Sequence, residues 1–234
     1  MAVDWESLPT EELLDVRLCD LGLTVSDTWL ADCVERLRDE LDAVGLRKFR
    51  VHTWLSDEWC SPDGVPGVGI PFYLAHSRLI RLERQMMFEV EGGTQAECMR
   101  LLRHEAGHAL QHAYNLQRRK RWQRAFGKAS DPYPEFYRPN PMSKGFVEHL
   151  DGWYAQAHPV EDFAETFAVW LAPRSNWRKR YASSQALGKL EYIDELVEDL
   201  SEKKPQVKSR ARPYSLPSLR HTLRQHYERR QDHY

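Results

Sequence analysis

The chain has 234 residues, of which 41% are hydrophobic and 29% charged, with a net charge of −2 at pH 7. Such a chain can bury a core without a disulfide framework. No run of 18 apolar residues occurs, which excludes a transmembrane helix, and the acidic start MAVDWESLPTEELLD argues against a secretory signal. The four cysteines, Cys19, Cys33, Cys60 and Cys98, form no CxxC pair, so reduced thiols in a cytoplasmic protein are the expectation.

The charge is unevenly spread. Residues 1–60 carry 14 acids and 6 bases, whereas residues 203–234 carry 9 bases and 2 acids. Either the two ends are solvated faces that attract each other, or the basic tail binds an acidic partner.

Residues 26–44 predict an amphipathic helix, with Leu30, Val34, Leu37 and Leu41 at three- and four-residue steps. Residues 48–56 alternate Phe49, Val51, Thr53 and Leu55 against polar neighbours, which is the period of a strand. A Pro/Gly loop follows, SPDGVPGVGIP, and residues 72–91 read as extended. Gly92-Gly93 ends that run. Thr94-Gln-Ala-Glu97 is a capping box, and the helix it opens is expected to reach about Leu116. Residues 117–128 are basic, and the four prolines of 131–141 predict an ordered loop. His158-Pro159 opens another helix that Pro173 closes. Residues 187–203 and 216–231 read as further helices, joined by a Lys/Pro/Ser linker. Helices with one small sheet make an α+β class.

The chemistry is carried by His104-Glu105-Ala106-Gly107-His108, an HExxH pattern inside the capped helix. Residues four apart share a helix face, so both imidazoles can reach one Zn²⁺. Glu105 lies beside them, where it can take a proton from an activated water. Gly107 allows a second segment to approach closely. A third ligand is then needed. The metzincin pattern would place Gly at 111 and His at 114, but the chain has Gln111 and Tyr114, so that class is excluded. His112 cannot wrap around the same metal from the same straight helix. His149, His158 and the thiols stay open as ligands.

The strongest candidates lie in His158-Pro-Val-Glu161-Asp-Phe-Ala-Glu165, where Glu161 and Glu165 share one face of an apolar helix. Two inward carboxylates need a cation or a donor. Zinc for one and the free N–H of a ligating histidine for the other would satisfy both. The alternative is a solvated acidic stripe that includes Asp162.

The segments LLRHEAGHAL and YAQAHPVEDFAETFAVWL resemble the bacterial zinc-binding metallopeptidases of the gluzincin type, in which HExxH is followed at long range by a Tyr…HPxEDxAETxA segment. The ExFAE core is similar to the second zinc helix of anthrax lethal factor and of the Pro-Pro endopeptidases. The resemblance implies a zincin-like fold: a small, twisted, mainly antiparallel sheet packed on the HExxH helix, followed by a helical C-terminal subdomain. It implies one zinc ion held by His104, His108 and Glu161, with Glu165 behind the ligands. It makes Glu105 the general base and Tyr154, seven residues before Glu161, the group that stabilises the oxyanion. The implied substrate is a peptide or protein, and strand addition along residues 78–91 is the expected mode of binding. The domain reading is an acidic arm over 1–25, a metallopeptidase core over 26–202, and a basic linker and helix over 203–234.

Two other readings stay open on the sequence. One is a catalytically silent, zinc-stabilised protein-binding module. The other is a nucleic-acid-associated protease that uses basic segments 118–128 and 203–230, with Trp122 and Phe126 as stacking groups.

Overall fold

A computed structural model describes residues 4–233; Met1–Val3 of the acidic arm and Tyr234 of the tail lie outside the described residues. Short helix α1 (Thr10–Leu14) is followed by α2 (Leu30–Ala43), which buries Leu30, Val34, Leu37 and Leu41 as its spacing requires. Strands β1 (His52–Ser56) and β2 (Gly67–Pro71) form a two-stranded sheet.

The sheet corrects the antiparallel expectation: β1 and β2 are parallel, with His52 opposite Gly67 and Ser56 opposite Pro71. The loop between them explains this. Its residue Cys60 pairs antiparallel with Gly69, so the chain crosses to the far side of β2 before turning back. β2 therefore lies between β1 and the Cys60 segment. A Cβ on Gly69 would stand 2.6 Å from Cys60 Sγ, so the glycine permits this sandwich.

A second correction concerns residues 72–91. Phe72–Ala75 form a 3₁₀ turn and Ser77–Met87 form helix α3. Leu79 and Leu82 face the core while Arg81, Arg84 and Gln85 face solvent, a helical rather than an alternating division. The His76 side chain caps α3 by accepting from Arg78 N. No strand edge exists at 78–91 to receive a substrate.

Helix α4 (Gln95–Tyr114) begins at the Thr94–Glu97 capping box, with both reciprocal hydrogen bonds formed at 3.2 Å. The basic stretch then folds into α5 (Lys120–Phe126). Residues 131–141 contain no helix or strand. A 3₁₀ segment over Asp151–Gln156 leads to α6 (Pro159–Leu171), which is capped by the His158 side chain and ends before Pro173. Helices α7 (Trp177–Arg180), α8 (Ala186–Leu200) and α9 (Leu223–His233) complete the chain. The result is a helix-rich α+β architecture. Among the described residues no helix is long and apolar enough to cross a membrane.

Helices α4 and α6 pack directly on each other. A Cβ on Gly107 would lie 2.9 Å from Ala164 Cα, so the close approach expected at this glycine is made by α6. Arg103 ties α4 to α2 through a two-pronged, buried contact with Glu40 at 2.7 and 2.8 Å.

The two charged ends meet. Leu18 N donates to His221 O, Cys19 N to Leu219 O and Leu223 N to Val16 O. Arg224 pairs with Asp15 and Glu11, and Arg230 reaches the buried Glu83 at 2.6 Å. Two bases of the middle segment are likewise paired: Arg119 with Asp199, and Arg121 with Glu195. Trp122 and Phe126 are buried in the core, so they are not surface groups available for stacking on bases.

Candidate metal centre

Because α4 is helical through its whole HExxH stretch, His104 and His108 project from one face toward α6. Proline at its first position and the His158 cap start α6 so that Glu161 falls in its first turn, opposite them. His104 Nε2 and His108 Nε2 lie 3.1 Å apart. Glu161 Oε2 lies 3.1 Å from the first and 3.2 Å from the second. Three donor atoms therefore meet at the corners of a small triangle, and these three residues can hold a metal ion.

The triangle suits zinc. Tetrahedral bonds of about 2.0–2.1 Å place ligand atoms about 3.3 Å apart. Two imidazoles and a carboxylate are also a donor set of the right chemical type. Electrostatics favour a cation here. Burial alone would lower the pKa of His104, but its bonds to Glu161 and Glu165 outweigh that and raise it to about 10. Burial would raise Glu161, yet His108 and His104 hold its carboxyl well below the usual range.

Glu165 is completely buried and fully engaged. Its Oε1 meets His104 Nδ1 at 2.9 Å, and its Oε2 accepts from His149 N at 3.2 Å and Leu150 N at 2.8 Å. This fixes the His104 ring with Nε2 toward the triangle. Asp162 is also buried and is held by Lys189 at 2.6 Å, although burial still raises its pKa to about 7. Glu161, Asp162 and Glu165 are all below 6% exposure, which rules out the solvated stripe.

Glu105 points into the same cavity. Its Oε2 is buried without a hydrogen-bond partner, and desolvation raises its pKa. Tyr154 comes from the 3₁₀ segment, where Gly152 and Trp153 adopt positive φ. Its ring lies 5.8 Å from that of His104, and burial lifts its pKa above the ordinary tyrosine value, so it keeps its proton at neutral pH. His104, Glu105, His108, Tyr154 and Glu161 line one cleft of about 950 Å³.

The other sequence candidates are otherwise employed. His149 Nε2 donates to Arg100 O at 3.0 Å. His158 donates through Nε2 to Asp131 O at 2.7 Å and accepts Val160 N at Nδ1. His112 lines the cleft, where it accepts from Gly64 N. Cys60 reaches the cleft wall, with burial pushing its thiol up to about 11.

One contact was missed from the sequence. Tyr133, in the proline-rich loop, donates from its hydroxyl to Glu161 Oε1 at 2.6 Å. No motif marks it. The only available signal was an aromatic residue between two prolines, which says that the loop is ordered but not where it points.

Residues 96–204, a little under half of the chain, match the model of a family described as "Putative zinc-binding metallo-peptidase". The match begins in α4 and takes in both histidines, Tyr133, Tyr154 and the whole of α6. No curated protein and no solved structure matches the chain.

Proposed function

We propose that this chain is a zinc-dependent metallopeptidase of the zincin-like, gluzincin type. The supporting observation is the convergence of His104 Nε2, His108 Nε2 and Glu161 Oε2 within 3.1–3.2 Å of one another, beside the unpartnered oxygen of Glu105. Zinc held by these three residues would polarise a peptide carbonyl and make nearby water acidic. Glu105 accepts the proton from the attacking water and returns it to the leaving amine; its raised pKa suits a group that must do both. Tyr154 remains protonated and donates to the carbonyl oxygen as negative charge builds there. Glu165 keeps His104 in the tautomer and orientation that ligation needs.

The cleft mouth suggests the substrate's charge. Asp63, Glu89, Glu91, Glu97 and Asp151 line it and are exposed, against Arg84 and Arg100. Arg100 is already shared with Asp151 and the His149 carbonyl. Such a mouth draws in peptides rich in Lys and Arg. Trp59, Cys60 and Ser61 line the cleft beside β2, to which Cys60 is bridged at Gly69, and they are the candidate site, in place of 78–91, for pairing with a bound peptide.

The test is peptide-library profiling of the zinc-loaded protein beside Glu105→Gln. The expected result is cleavage of cation-rich peptides by the parent, with a variant that keeps its zinc and loses about 10²–10⁴-fold in turnover. Equal cleavage by both proteins would sink the assigned role of Glu105. Stoichiometric zinc with no cleavage of any peptide would instead support a silent, zinc-stabilised binding module.

A further inference from the structure

The carboxylate of Glu161 is divided between two tasks. Oε2 faces both histidines, while Oε1 is occupied by the Tyr133 hydroxyl. Tyr133 contacts Glu161, whereas Glu165 contacts His104, and Tyr133 sits on a loop that is otherwise outside the core. The residue is 56% exposed overall, yet its hydroxyl ends on the carboxylate of Glu161, a residue that is 5% exposed. A solvated tyrosine has no reason to adopt one such pose unless something holds it.

His158 holds it. The phenol ring stacks on His158, with centroids 3.9 Å apart and planes within 13°. His158 is itself immobilised, because its Nδ1 caps α6 and its Nε2 donates to Asp131 O, two residues before Tyr133. The same histidine therefore clips the backbone of the loop and supports the ring that reaches Glu161. Ring, loop and first turn of α6 form one unit.

We propose that Tyr133 is a positioning residue that restricts Glu161 to a single ligating oxygen and so keeps one metal position free for substrate. The inference rests on the zinc reading above. A carboxylate with both oxygens free can bind a cation through either or both. A donor fixed on Oε1 makes two-oxygen binding cost a strong hydrogen bond, and it selects the orientation that Oε2 already has. Because the donor comes from the loop at the cleft, seating of that loop and preparation of the metal ligand are the same event.

The test uses the full chain loaded with Co²⁺, whose visible bands weaken as its coordination number rises. Tyr133→Phe keeps the ring and its stacking on His158 and removes only the hydroxyl. The expected result is weaker visible absorption than in the parent, a fall in metal affinity of about tenfold, and a loss in kcat larger than any change in KM. Tyr133→Ala, which also releases the loop, is expected to show the same spectral change and a raised KM as well. A Tyr133→Phe spectrum and affinity identical to the parent's would overturn the proposal while leaving the zinc reading intact. If the parent itself binds neither Co²⁺ nor Zn²⁺, the zinc reading falls and this inference falls with it.

Discussion

The α4–α6 seam and the seam between the two chain ends both bury ionisable groups, but they use them differently. Around the chain ends charges meet in pairs, Arg224 with Asp15 and Arg230 with the buried Glu83 of neighbouring α3 at 2.6 Å. His226 sits there neutral, 4% exposed, with Nε2 unpartnered and its ring against Phe72. At the α4–α6 seam the groups converge on one point instead: two imidazoles and a carboxylate face each other, and Glu165 and Tyr133 hold them from behind. Burial without convergence serves the fold. Burial with convergence gathers donor atoms and charge at one point, where a proton on His104 or a cation at the centre balances them.

The largest expected effect tests whether helix spacing governs the centre. Gly107→Val would force α4 and α6 apart at Ala164, where even a Cβ stands at 2.9 Å. A loss of about 3 kcal/mol in urea unfolding is expected, together with loss of zinc. Retained zinc affinity in a destabilised variant would separate the centre from the packing of the seam.

A smaller effect is expected from Glu165→Gln, which preserves size but cannot serve His104, His149 N and Leu150 N together. Zinc affinity measured by competition with a chelator should fall about 10- to 100-fold. An unchanged affinity would place Glu165 with the structural pairs of the other seam.

The smallest effect concerns His226. Burial, reinforced by Arg230, lowers its pKa to about 3, so the folded chain refuses a proton that the unfolded chain accepts below about 6.5. Its contribution is present above that pH and is lost as pH falls from 6.5 toward 3. His226→Phe should therefore recover about 2 kcal/mol of stability at pH 5 relative to pH 7, read from urea midpoints. Equal pH dependence in the two proteins would show that His226 is not the acid-sensitive element of the terminal seam.

Much of the centre was legible because its chemistry is written in helical periodicity. The spacing of His104 and His108, the capping box at Thr94 and the proline at 159 each dictate a local geometry, and the structure has all three. The pairing of α4 with α6 was half legible: Gly107 announced a close neighbour without naming it. Helix α3 was misread because Leu79, Ile80 and Leu82 look like a strand fragment when the polar face of 81, 84 and 85 is not counted. Strand β2 was hidden in a Gly/Pro-rich stretch, because a fully buried strand need not alternate and its glycines reflect what lies beside it. Tyr133 was illegible for a different reason. Its partner is 28 residues away across an irregular loop, and no periodicity relates them.

The lacing of the ends also sets an order of events during synthesis. Val16 and Leu18 take their backbone partners from Leu223 and His221, about two hundred residues later in the chain. The α4–α6 seam draws on α8, whose Lys189 holds Asp162, but its metal-facing residues all precede Leu171, so α4 and α6 can meet before α9 is made. Residues 16–19 therefore gain their backbone partners only after residues 219–223 have been made. Val16, Leu18 and Cys19 must wait, with these backbone groups still in water, until the segment around 219–223 arrives to pair with them.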